Sequence, residues 1–158
     1  MKKILFVLIL LFLPTIVFSK AVDNNWLKPQ WWSTATVEDV KAKIASGVDI
    51  NEKEIEYGKT ALIVAAPVTQ NPEIVKLLIE NGADVNAKSK GGMTALMYTV
   101  GWINPNLKVI KILIENGADL EAKTTTGKTA LDFLKDNKEL SASKYKKIEK
   151  LLKDKKKK

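Results

Sequence analysis

Two short blocks recur in this chain at a nearly fixed interval, and that interval constrains the fold more than any other feature. Gly58-Lys59-Thr60-Ala61-Leu62 returns as Gly92-Met93-Thr94-Ala95-Leu96 and as Gly127-Lys128-Thr129-Ala130-Leu131, at spacings of 34 and 35 residues. Gly47-Val48-Asp49-Ile50-Asn51 returns as Gly82-Ala83-Asp84-Val85-Asn86 and as Gly117-Ala118-Asp119-Leu120-Glu121, 35 residues apart each time. Between the blocks, Glu73 to Asn81 is matched by Lys108 to Asn116. Two interleaved motifs that keep step at this period mark a stacked solenoid.

Each unit reads as a helix pair. The Thr60 hydroxyl can cap a short helix that carries Leu62, Ala65 and Ala66 inward, alanine being small enough for neighbouring helices to approach closely. Pro72 and Glu73 start a second helix, where the missing proline N–H costs nothing and the carboxylate complements the dipole. Ile74, Leu77 and Leu78 follow the i, i+3, i+4 spacing of one apolar face. Asn81-Gly82 ends that helix, glycine entering the left-handed cap cheaply. Ala83 to Gly92 then projects as a hairpin-like finger. No unit can bury its own helices, so stability must come from stacking.

At these residues the chain resembles the ankyrin-repeat family, over about Thr36 to Leu134 with a helical continuation to about Leu152. The resemblance implies an all-α solenoid of helix-turn-helix pairs with short β-hairpin-like fingers. It divides the chain into a Trp-rich cap (20–35), a repeat domain (36–152) and a basic tail (153–158). The repeats are a degenerate first one (Trp31 to about Glu54), two full ones (about 55–88 and 89–123) and a capping repeat from Thr124. Ser141-Ala142-Ser143 would start the last helix, with Tyr145, Ile148, Leu151 and Leu152 on its inner face. The departures from the family pattern are specific. Thr-Ala replaces Thr-Pro in every copy, and the pattern's His is Ile63, Met97 and Asp132. Looser fingers are therefore expected. The turns Pro67–Asn71 and Gly101–Asn106 are longer than the pattern by one and two residues.

The first 19 residues read as an address. Lys2 and Lys3, the apolar run Ile4 to Leu13, Pro14 and the small Val17/Ser19 pair fit a cleavable signal peptide, with Ala21 as the alternative cleavage point. The chain is expected in the periplasm or secreted. Trp26, Trp31 and Trp32 read as a cap over the first repeat, with Lys28-Pro29 suggesting an extended, wrapping segment.

Composition removes most chemistry. The chain has no Cys and no His, and all 26 basic residues are Lys. Thiolate and imidazole catalysis and metal ligation by Cys or His are excluded, and so is guanidinium recognition of phosphate or guanine. Carboxylates at Glu38/Asp39 and at Glu52, Glu54 and Glu56 fall in helix starts or finger turns, where they cap or solvate. No enzyme, metal site or nucleic-acid partner is expected. Residues 144–158 carry nine Lys against two acids, while residues 20–143 carry 15 against 16. The basic charge thus belongs to the C-terminal end, and a membrane surface enters only through that tail.

What the resemblance implies is a monomeric, non-catalytic protein-binding module that uses its finger tips and concave helix surface. Carried over position by position, the contact residues are Glu56, Tyr57 and Lys59, Pro67 and Val68, Lys90 and Met93, Gly101 and Trp102, and Thr125, Thr126 and Lys128. Tyr57, Met93 and Trp102 would form an exposed patch rimmed by Lys. An immunity or inhibitor role belongs to the same class. A second reading is a haem carrier supporting a haem enzyme such as catalase, since some small exported ankyrin proteins that this chain resembles are associated with catalase and peroxide resistance. Tyr57 would then be the iron ligand, beside Met93.

Overall fold

The computed structural model describes residues 24–154. The signal-peptide reading of residues 1–19 and the end of the basic tail, 155–158, lie outside them. After a 3-10 turn at Asn24–Leu27, the helices run α1 (Pro29–Thr34), α2 (Val37–Ala45), α3 (Ala61–Val68), α4 (Pro72–Glu80), α5 (Ala95–Val100), α6 (Leu107–Glu115), α7 (Ala130–Asp136) and α8 (Ala142–Asp154). No strand occurs among the described residues. The odd-numbered helices stack on one another as an inner layer and the even-numbered ones as an outer layer.

The inner helices are short, and α3 and α5 are almost wholly apolar. In α3 every residue from Ala61 to Ala66 is buried, and Thr60 caps its start by accepting from the Ile63 N–H at 3.4 Å. Thr94 repeats the device on Met97. At α7 the cap is a box: the Thr129 N–H donates to the Asp132 carboxylate at 3.0 Å. Asp132, which replaces the family pattern's His, has become a capping residue. The outer helices bury one face. In α4 this comprises Ile74, Val75 and Leu78, with Leu77 half-buried, so the apolar stripe is rotated toward Val75 from the face expected. A leucine as enclosed as Leu78 contributes about 1.5–3 kcal/mol through burial.

The fingers are tied rather than loose. The Asn51 side-chain amide donates to the Gly82 carbonyl (2.9 Å) and accepts from the Asp84 N–H (2.8 Å). Asn86 does the same one unit on, to Gly117 (3.0 Å) and from Asp119 (2.7 Å). Backbone bonds join the tips: Lys90 N–H to Tyr57 carbonyl at 2.8 Å, and Thr125 N–H to Gly91 carbonyl at 3.0 Å. These amide and backbone bonds couple each unit to the next without a His in the helix.

Two further expectations are corrected. The Trp segment is helical, because Lys28 is an extended N-cap and Pro29 starts α1, where its ring is preorganised. Trp26 and Trp32 are fully enclosed, their rings 6.0 Å apart, and α1 lies on α3. Neither indole N–H finds an acceptor among the described residues. Pro67 belongs to α3 and not to the turn, since a proline in the last helical turn forfeits a single ladder bond. The α3–α4 connection is only Thr69–Asn71.

Candidate protein-binding surface

Three residues spaced 35 apart, Glu54, Ser89 and Thr124, fold the three finger tips. The N–H of each closes a turn onto the carbonyl of Lys59, Met93 or Lys128, at 3.0 Å in all three. Their side-chain oxygens accept the N–H groups of the tip. The Ser89 hydroxyl takes Met93 N–H, and Thr124 takes those of Thr126 and Lys128. Glu54 takes three, from Glu56 (2.6 Å), Tyr57 (2.7 Å) and Lys59 (3.2 Å). Partial burial works to raise its pKa, but these donors and the Lys59 charge outweigh it, so the carboxyl is held below its usual range.

The first finger is one residue longer than the others. From Glu54 to Gly58 is four positions, whereas Ser89 to Gly92 and Thr124 to Gly127 are three. That insertion accounts for the single 34-residue spacing among the repeats. Its effect is display: Ile55 is 91% exposed and Tyr57 54%. The tip is nonetheless fastened, because the Lys90 ammonium donates to the Ile55 carbonyl at 2.6 Å. Lys90 is thus a clamp on the neighbouring finger, and its donor is engaged within the chain.

Behind the tip, the Lys59 ammonium lies over two rings, 5.0 Å from the centre of Tyr57 and 4.8 Å from that of Tyr98 on α5. Such contacts contribute about 0.5–1 kcal/mol each at exposed sites. Phe133 on α7 occupies the position equivalent to Tyr98, four residues after its Thr cap, and Lys128 lies 5.9 Å from its ring. Lys128 also pairs with Asp136 at 2.8 Å, which raises its pKa. Tyr98 and Phe133 thus occupy equivalent positions on the inner helices α5 and α7, and Lys59 joins Tyr98 to Tyr57 on the first finger.

Trp102 stands at the far end of α5, four residues beyond Tyr98. It is 42% exposed, and the adjacent Ile103 is 72% exposed. Asn137 secures this long turn by donating its amide to the carbonyls of Val100 (3.2 Å) and Trp102 (2.7 Å), and Lys144 bonds Asn104. Of the other expected residues, Glu56, Thr125 and Thr126 are exposed at finger tips, and Gly101 lies exposed against Phe133. Pro67 and Val68 are half-buried at the end of α3. Met93 packs half-buried against the core, so it is not an exposed anchor beside Tyr57 and Trp102. Sequence reasoning missed Ile55, Tyr98, Ile103 and Phe133. Counting residues within each finger, and four onward from each Thr, would have found three of them.

Tyr57, the candidate haem ligand, stands exposed at the first finger tip, where a hydrogen bond to the Glu56 carboxylate and the charge of that group raise the phenol pKa. Met93 is half-buried beneath its own finger. Among the described residues no cluster of His, Cys, Asp or Glu could hold a metal ion.

A family model of ankyrin repeats in three copies matches residues 33–124 and 67–153. The chain belongs to the ankyrin-repeat family. Ankyrin repeats are protein–protein interaction modules, and the family is generally a non-catalytic binding scaffold. No curated protein matches the sequence.

Proposed function

We propose that this protein is an exported, non-catalytic binding module that holds a protein partner on its first finger and on the adjoining inner-helix aromatics Tyr98 and Phe133. The observation that carries the reading is Ile55 and Tyr57, an aliphatic and an aromatic side chain held out of the core on a hydrogen-bonded tip. Free tips lose conformational entropy on binding, whereas this one has already lost it in folding. Trp102 and Ile103 supply a second apolar contact at the other end of α5. Export rests on the charged start and the apolar run of residues 2–13.

Site-specific photo-crosslinking in the native host tests both parts. A photoreactive residue at position 55 or 102 should give one adduct of defined mass in the exported fraction, and the same residue at Lys76 on α4 should give none. Tyr57→Ala should weaken that complex by about 1–4 kcal/mol, as loss of an aromatic anchor does. Equal labelling at Lys76, or no adduct at positions 55 and 102, refutes the surface. Full-length chain confined to the cytosol refutes export.

A further inference from the structure

On the outer layer, away from the fingers, α6 and α8 leave an open groove of about 420 Å³. Leu107 and Leu151 line it, each half-buried, and Lys108, Lys111, Lys147 and Lys150 surround them. Asp154 is the one acid in the lining. Lys111 pairs with Glu115 at 3.7 Å, whereas Lys108, Lys147 and Lys150 enter no ion pair among the described residues. The sequence then continues from Asp154 directly into Lys155–Lys158.

We propose that this groove is a peripheral docking site for a bilayer surface bearing anionic headgroups. Three features select that occupant. The cations are spread over two helices instead of converging on one point, which suits a sheet of charge better than a single small anion. All are lysines, whose flexible apolar stems can cover Leu107 and Leu151 while the ammonium groups reach the headgroups, as amphipathic side chains do at an interface. A fixed carboxylate array on a protein would favour the planar fork of arginine, and the chain has none. Lysines clustered on an amphipathic helix such as α8 are an arrangement that anionic leaflets attract. Attachment is peripheral, because no described helix is long and apolar enough to cross a membrane. The proposal does not depend on the finger surface.

Co-sedimentation of the full chain with vesicles decides it. Phosphatidylcholine vesicles are compared with vesicles containing about 30% phosphatidylglycerol, so that the apolar residues 4–13 contribute to both arms and the ratio reports charge. The wild type should prefer the anionic vesicles at least tenfold. Lys147→Glu/Lys150→Glu, both exposed, should remove most of that preference with an unchanged circular dichroism spectrum, and Lys155–Lys158→Ser should reduce it only in part. The proposal is overturned by equal binding to both vesicles, by a Lys147→Glu/Lys150→Glu variant that binds like wild type, or by complete loss in the tail variant alone. Tight binding of poly-glutamate with no vesicle preference overturns it in favour of an acidic protein.

Discussion

Gly92 and Gly82 offer a controlled measurement of how tightly the fingers stack. Both are left-handed, at φ +76° and +90°, so alanine at either position incurs about 1–2 kcal/mol of backbone strain, offset by about 0.4–1 kcal/mol from stiffening the unfolded chain. Their surroundings differ. A Cβ at Gly82 meets nothing within 4 Å. At Gly92 it would lie 2.9 Å from Thr125 N, 3.0 Å from Thr124 Cα and 3.1 Å from Thr124 C, all backbone of the next finger. No rotamer relieves those contacts. The fingers must part, straining the Thr125 N–H bond to the Gly91 carbonyl, at roughly 1–3 kcal/mol for overpacking and 0.5–1.5 for the bond. Gly82→Ala should therefore destabilise by about 1 kcal/mol and Gly92→Ala by about 2–5 kcal/mol. Urea unfolding followed by circular dichroism, run side by side, reads the difference. Two variants within 0.5 kcal/mol of each other, a margin typical of surface changes, would refute close finger packing.

Asn86→Leu removes both halves of an inter-unit bond pair and should cost about 1–3 kcal/mol in the same assay, because the Gly117 carbonyl and the Asp119 N–H lose their partner. Asp132 is held at about 2, below its ordinary 3.8, first by the Thr129 N–H and hydroxyl and then by Lys135. A depressed carboxyl stabilises the fold above its unfolded value and loses that contribution as pH falls through the folded one. Thermal melts should thus show a gap between wild type and Asp132→Asn at pH 5 that closes toward pH 2. Titration with ferric haem should give no one-to-one Soret band, and a band lost in Tyr57→Phe would reverse that view.

The helix pairs were legible because their signals are local and periodic: a Thr cap, a Pro start, a Gly stop, and apolar residues at helical spacing. The chemistry that joins the units is of another kind. Asn51 sits in a block recognisable from sequence, yet its bonds run to residues 31 and 33 positions away, and only the stacked structure brings them together. The loss of the pattern's His therefore suggested looseness that Asn51, Asn86 and Lys90 prevent. The site was half legible. Tyr57 and Trp102 stand out as large residues in turns, but Met93 shares the register of Lys59 and Lys128 and still folds inward, since an unbranched thioether fills gaps at the base of a finger. Ile55 was hidden by an insertion of one residue. A repeat search tolerates such an offset, and side-chain display does not.

The amide ladder also determines where the array can grow. Asn51 and Asn86 succeed because a carboxamide offers a donor and an acceptor together, one for the carbonyl and one for the N–H of the following loop. The third position in the series is Glu121, and an ionised carboxylate has no proton to offer a carbonyl; it would face that oxygen as a second acceptor. A fifth helix pair appended after α8 would dock onto a mismatched seam. Anyone extending this solenoid must first rewrite Glu121 as Asn.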